Sequence, residues 1–401
     1  MRIARSLFVL CAAPLVACGD RAEVVRAPSV RDSAGVNILE IPASLASAVR
    51  VDTLSDPLWV LGAKDGALDG DMTGATSALV LPDAIVVADE TSGTLRRYSL
   101  DGVQQSTGAG RGEGPGEMPM LGRLLPFVTG RGIAVLEFYR GMLHFYDDTL
   151  GFLRQQRLNL AGGVRYGVIG VESGGSLIVF GGAYSGPESH EDGVIVRSPE
   201  VVERIAPEGT GIDTLFTLPG AETYGIAGGI RGRRFAVRPM ILVNDSGFVV
   251  SEGERWELRW LDRQGKVNRI VRLDRPRRLV TEAMRVAQLD ADHARIDALP
   301  AGGFAGIRRM AALDFENPRF PDSLPPFDET LADGAGRIWM REGASPVDSV
   351  QHWLVFGSEG LERILAISTS LQLLAVGDQL VLVRREDDDG VGYLELRGAK
   401  R

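Results

Sequence analysis

A short turn followed by a strand-length apolar run recurs six times along the 401-residue chain, and this repetition constrains the fold more than any other feature. The copies are Ile85-Val86-Val87-Ala88, Ile133-Ala134-Val135-Leu136, Leu177-Ile178-Val179-Phe180, Phe248-Val249-Val250, Ile338-Trp339-Met340 and Leu380-Val381-Leu382-Val383. Gly- and Asp-containing turns introduce most of them, for example Asp245-Ser246-Gly247 and Asp333-Gly334-Ala335-Gly336. Such residues supply the positive φ that tight hairpins demand. A second strand type follows in register, alternating apolar and polar residues and closing on a glycine: Leu95 to Tyr98 before Gly102, Leu143 to Tyr146 before Gly151, Leu258 to Leu261 before Gly265, Trp353 to Phe356 before Gly360. The third and sixth copies are weaker, near Val194-Ile195-Val196 and Tyr393-Leu394-Glu395-Leu396.

The apolar runs begin 48, 44, 71, 90 and 42 residues apart. A base unit near 45 residues is the length of one four-stranded propeller blade, so the chain is expected to be all-β, a six-bladed β-propeller with two blades enlarged by insertions. The insertion in blade 3, about 184–222, is rich in Gly, Ser, Pro and acids and reads as a long loop or extended hairpin. The insertion in blade 4, about 277–315, reads as partly helical. Val280, Met284, Ala287, Ala291, Ala294 and Ala298 fall on one helical face, Thr281 is placed to cap its start, and Pro300 follows its end. That helix is expected to pack on the propeller or cap one mouth of its channel.

The register of the ring comes from a second repeat. Gly62-Ala63-Lys64-Asp65-Gly66-Ala67-Leu68-Asp69-Gly70-Asp71-Met72 matches Gly108-Ala109-Gly110-Arg111-Gly112-Glu113-Gly114-Pro115-Gly116-Glu117-Met118 at an offset of 46. The same blade-to-blade link thus occurs before the first blade as well as after it. Leu58-Trp59-Val60-Leu61 then corresponds to an outermost blade strand with no blade of its own, while the sixth blade is one strand short. The N-terminal strand is expected to complete it, removing the free edge an open array would expose.

Gly110 to Met118, following Val87-Ala88-Asp89 and Tyr98-Ser99-Leu100-Asp101-Gly102, resembles six-bladed propeller lipoproteins related to NHL-repeat and TolB-like modules. The likeness spans residues 36–401 and is best in blades 1 and 2. The start of the chain points the same way. Arg2 and Arg5 precede an apolar stretch from Leu7 to Val16, too short to span a bilayer, which ends in Leu15-Val16-Ala17-Cys18. This tetrapeptide resembles a bacterial lipobox, which implies acylation of Cys18, removal of residues 1–17, and a polar tether at 18–35. Cys11, the other cysteine, leaves with the signal segment, so no thiol remains to form a disulfide.

The net charge of −9 becomes −11 without Arg2 and Arg5, which argues against nucleic acid as a partner. No nucleophile elbow, Walker loop or dinucleotide fingerprint stands in its required strand-to-helix context. His144, His190, His293 and His352 lack ligand spacing. His293 reads as a partly buried packing residue of the helix. Trp256, Trp260, Trp339 and Trp353 read as packing between blades, with a sugar platform as the alternative. Asp89, Glu90, Glu137, Glu252 and Glu342 each follow what reads as an inner strand, and would converge near one mouth of the channel to bind Ca²⁺ or a cationic group. The competing reading makes them strand-end residues satisfied by turn amides or solvent.

The expectation is therefore a lipid-anchored, exported propeller facing the periplasm or exterior, non-enzymatic, without an obligate cofactor, binding a small molecule or protein. The alternatives are a Ca²⁺-dependent lactonase-like hydrolase working at the channel mouth, and an assembly scaffold. Cys18→Ser should release the protein from membrane to soluble fractions on cell fractionation, and unchanged membrane retention would refute the anchor.

Overall fold

The computed structural model describes residues 27–62, 72–127, 132–137, 140–157, 165–172, 174–182, 191–207, 211–226, 229–300 and 304–399. The chain opens with β1 (Ser29–Ser33), β2 (Val36–Ile41), the short helix α1 (Ala43–Ala48) and the long β3 (Val51–Gly62). Blade 1 is β4 (Ala75–Val80), β5 (Ala84–Asp89), β6 (Thr94–Ser99) and β7 (Gln104–Gly108); blade 2 is β8 (Arg123–Pro126), β9 (Ile133–Glu137), β10 (Met142–Tyr146) and β11 (Phe152–Arg157). Blade 3 contains β12 (Arg165–Val171), β13 (Leu177–Gly182), β15 (Pro199–Ile205) and β16 (Ile212–Pro219), interrupted by β14 (Ile195–Val196), which pairs instead with β17 (Thr223–Ile226) and β18 (Gly229–Gly232) in a small separate sheet. Blade 4 is β19 (Met240–Asn244), β20 (Gly247–Ser251), β21 (Glu257–Leu261) and β22 (Val267–Leu273), followed by helices α2 (Glu282–Asp297) and α3 (Ala305–Glu316). Blade 5 is β23 (Phe327–Ala332), β24 (Ile338–Glu342), β25 (Val350–Gly357) and β26 (Gly360–Ser368); blade 6 is β27 (Gln372–Val376), β28 (Leu380–Glu386) and β29 (Gly392–Ala399).

Blade 6 is completed by β3, as the offset repeat requires. Leu396 pairs with Trp59, Glu395 with Val60 and Leu394 with Leu61 in antiparallel register. The innermost strands touch in succession from β4 through β8, β12, β19, β23 and β27 and back to β4, so the fold is a closed six-bladed β-propeller.

Six apolar clusters hold it, one between each pair of neighbouring blades. The second strand of each blade explains why its sequence is a continuous apolar run rather than an alternating one. Side chains alternate between the two faces of a strand, and both faces of a blade are covered. In β5, Ile85 and Val87 pack against blade 6, whereas Val86 and Ala88 pack against blade 2. In β24, Ile338 and Met340 face blade 4 while Trp339 faces blade 6. The recurrent apolar runs, expected to be inner strands, are therefore the second strands. The innermost strands have one flank on the channel and carry more polar residues.

The turns follow the residues that form them. Gly247 has φ +140°, and a Cβ there would meet the Leu261 carbonyl. Asp333 accepts from the backbone N–H groups of Ala335 and Arg337 and from Trp339 Nε1, tying the β23–β24 hairpin to a buried indole. The link after blade 1 is structural: Met118 N–H donates to the Gly110 carbonyl at 2.8 Å, Tyr146 Oη donates to the Gly116 carbonyl, and Met118 is fully buried between blades 1 and 2. Residues 63–71 of the earlier copy lie outside the described residues. Its Met72 is buried between blades 6 and 1, the place equivalent to that of Met118.

Several expectations are corrected. Residues 29–33, expected as tether, form β1, an exposed strand paired with β2. β2 in turn adds in parallel to β22 of blade 4, and β3 begins by adding in parallel to β26 of blade 5. The N-terminal segment thus straps three blades, burying Leu39, Ile41 and Ala46 between blades 4 and 5. Val194 to Val196 is not the third strand of blade 3. β15 is, and the extra sequence divides between residues 183–198 and the link 220–239. The helical insertion has two helices. Thr281 caps α2 as expected, its Oγ1 accepting from the Met284 N–H. The face of α2 that is buried carries Met284 and Asp292, however, while Ala291, Ala294 and Ala298 are exposed. A pair of ionic contacts outweighs the weak burial that alanine offers: Asp292 meets Arg234 at 2.8 Å, and Arg234 also meets Asp314 of α3 at 2.6 Å. His293 is exposed rather than partly buried, although its ring stacks on Phe315 at 3.8 Å.

Deleting residues 36–62 should abolish the cooperative melt, because it uncovers β29, β26 and β22 at once. Deleting residues 19–28 should leave the melting temperature unchanged. Leu396→Ala, at the closure, should cost about 2–5 kcal/mol in chemical denaturation. Equal melting of both truncations would refute closure as the organising contact.

Candidate functional site

Antiparallel pairing fixes which parts of the chain meet at each end of the ring. The turn between the second and third strands of a blade and the link to the next blade's innermost strand emerge on one face, here the link face. The other two hairpins of each blade emerge on the opposite face. Among the described residues, the blade insertions belong to the link face: residues 191–198 with β14, the link carrying β17 and β18, and the link carrying α2 and α3. The last two links are locked together by a buried polar cluster. Tyr224 donates to Asp314, and Arg231 lies 3.2 Å from the same carboxylate. Burial first, and then the hydrogen bond to Asp314 and its charge, push the Tyr224 hydroxyl up to about 12.

Through the ring runs a channel of about 1550 Å³, walled by the innermost strands. At the link-face mouth its lining includes Glu90, Arg123, Glu200, Arg238 and Glu329, together with Thr76, Ala221, Asp328 and Gln372. Glu90 accepts a bond from Thr76 Oγ1 at 2.9 Å. Arg238 donates to the Asp328 backbone carbonyl. Glu329 lies 2.8 Å from Arg341, which also holds Asp328 at 2.6 Å. Burial in the wall raises the Glu329 carboxyl above its ordinary range, Asp328 adding to this and Arg341 and Arg238 opposing it. Glu200 is raised as well by burial, against the Ala221 N–H and Arg197. Arg341 is itself held more firmly protonated, since Asp328 and Glu329 outweigh the burial that opposes its charge.

Of the five acids singled out by sequence, Glu90 lines the channel and the other four do not meet it. Asp89 is buried and consumed by its own turn: it accepts from the N–H groups of Thr91 and Ser92 and from Ser92 Oγ, and pairs with Arg96 at 2.9 Å. Glu137 is buried 3.2 Å from His144. Glu252 is held by Arg259 at 2.6 Å, and Glu342 by Arg275 at 2.9 Å. All five sit at link-face ends of second strands, but these strands stand one rank back from the channel. Their ends do not form a ring of acids around it. The other charged residues that line the mouth precede or begin innermost strands, or in Glu200 a third strand. Their one visible signal was a charge at the head of a short, partly polar strand.

Among the described residues no group of three or more His, Cys, Asp or Glu side chains is arranged to hold a metal ion, and no helix is long and apolar enough to cross a membrane. His352 lines a smaller cavity of about 290 Å³ beneath α1. His190, Cys11 and Cys18 lie outside the described residues. Trp339 and Trp353 are fully buried between blades 5 and 6, and Trp256 between blades 4 and 5. Trp260 is half-buried, lines the channel, and carries Arg269 over its ring at 4.9 Å.

No family model matches the sequence, and no curated relative was found. Solved structures share the fold. A member of the DUF4221 family from Bacteroides vulgatus matches with a TM-score of 0.50 at 10% identity, over 85% of this chain and 96% of that one. A protein of Bacteroides fragilis matches with a TM-score of 0.46 at 10% identity, over 91% of this chain and the whole of that one, and virginiamycin B lyase from Staphylococcus aureus with 0.40 at 11% identity, over 84% and 98%.

A carboxyl whose pKa is raised on folding contributes stability below its ordinary pKa and loses it as pH rises through the shifted value. Replacing Glu200 and Glu329 together by Gln should therefore raise the melting temperature at pH 8 relative to the parent. The gain should shrink toward pH 4. A gain that is absent, or that grows on acidification, would show that these carboxyls are not held above their ordinary range.

Proposed function

We propose that the chain is exported, anchored in the cell envelope by a lipid on Cys18, and binds its ligand or partner at the link-face mouth of the propeller channel. The observation that carries this reading is the coincidence of two independent features on one face. The described parts of both blade insertions emerge there, and so do Glu90, Arg123, Glu200 and Arg238, channel-lining charges that form no ion pair among the described residues. Loops displayed by a rigid scaffold are where binding residues concentrate, and a concave site with a few polar groups is the general form of a ligand pocket. Fold alone would not support this, since propellers host unrelated functions.

Binding ranks ahead of the lactonase-like alternative on the disposition of the carboxylates. Asp89, Glu252 and Glu342 are each spent on an arginine and Glu137 on His144, which leaves Glu90 as the one member of the proposed acidic set facing the channel.

Site-specific photo-crosslinking in intact cells tests the reading. A photo-reactive residue replacing Gln372, exposed at the link-face mouth, should give a discrete adduct. One replacing Asp245, exposed on the opposite face, should not. Equal labelling from both faces, or none from Gln372, would overturn the assignment.

A further inference from the structure

Around the link-face mouth the charges alternate in sign. Glu90 comes from blade 1, Arg123 from blade 2, Glu200 from blade 3, Arg238 from blade 4 and Glu329 from blade 5, where Asp328 beside it is shared with Glu329 by Arg341, and the uncharged Gln372 from blade 6 completes the circuit. Among the described residues, Glu90, Arg123, Glu200 and Arg238 form no ion pair, although most arginines elsewhere in the described chain are matched to a carboxylate. The Arg123 guanidinium makes no hydrogen bond among the described residues either, and that of Arg238 bonds only to a backbone carbonyl.

Charges of opposite sign that stand on adjacent blades without closing on each other leave both kinds of site open. A ring of one sign would gather simple counter-ions. An alternating ring offers a partner to each sign and rewards instead a molecule that presents both. The size of the channel adds a second constraint. From one mouth to the other it encloses about 1550 Å³, more than the roughly 300–1,000 Å³ of ordinary small-ligand pockets, so it has room for an extended chain entering from the link face.

We infer that the mouth recognises a short peptide or peptide-like zwitterion, its ammonium group set against Glu90 or Glu200 and its carboxylate against Arg123 or Arg238. This deepens the proposed binding function and rests on it.

The test uses the mature protein and tetrapeptides built only from Ala, Gly, Leu and Ser, whose charges are confined to their termini. Binding is followed by saturation-transfer NMR and calorimetry. Free peptides should bind at least about tenfold more tightly than N-acetylated, C-amidated ones, the scale of one charge-assisted hydrogen bond. Arg123→Gln with Arg238→Gln should abolish the sensitivity to amidation and keep the sensitivity to acetylation. Glu90→Gln with Glu200→Gln should do the reverse. Equal binding of free and blocked peptides, or binding by neither, overturns the ligand class. If Gln372 crosslinks nonetheless persist in cells, the binding face stands and only the ligand class falls; if they too are lost, both fall.

Discussion

The antiparallel pairing of β3 with β29 is the contact on which the rest of the molecule depends. Leu396 meets Trp59 across more than three hundred residues of chain, a loop whose closure cost is entropic and grows only slowly with length. What offsets it is the removal of two exposed strand edges together with burial of the blade 6–blade 1 interface. There Leu374, Leu382, Leu394 and Leu396 pack against Ile85, Val87 and Tyr98. With that interface made, all six are equivalent. Without it, two blades would each present an apolar face to water. The strap formed by β2 and the start of β3 extends the same device, covering the outer edges of blades 4 and 5 with parallel pairing.

The chemistry of charge in this chain is that of arginine. Only three of its 44 basic residues are lysine: Lys64, Lys266 and Lys400. A guanidinium offers a planar fork of donors that can hold a carboxylate and a carbonyl at once. Arg197 shows this, bonding Glu254 and the carbonyls of Gly220, Pro219 and Glu252, and so pinning the turn of blade 4 to the link that precedes it. Arg234 plays the same part between the two link insertions. At the channel mouth Arg123 and Arg238 are left without a carboxylate among the described residues, and the Arg238 guanidinium closes on a carbonyl alone.

The candidate site lay partly within reach of the sequence. Glu90 was legible because it follows a strand that announces itself by four consecutive apolar residues. Asp89 beside it was equally legible and proves to be a turn residue, since its carboxylate is taken up by the Thr91 and Ser92 N–H groups and by Arg96. Arg123, Glu200, Arg238 and Glu329 were not legible. The innermost strands that begin near three of them are short and amphipathic, with one flank wet, and resemble loops when read in one dimension. Glu200 was further hidden because β14 stood in for the third strand of blade 3.

Local pattern alone determined the unit, its count and its closure. A continuous apolar run of strand length can be satisfied only where both faces are covered, and a link repeated ahead of the first blade leaves one strand that has to find its sheet at the other end of the chain. Tertiary structure alone decided which strand of each blade is innermost, that the N-terminal segment straps three blades rather than tethering them, and that α2 buries Asp292 in place of its alanines. Each of these turns on a partner distant in sequence. A strand's rank in a blade depends on what lies across the channel, and an aspartate is worth burying only when the fold brings an arginine to it.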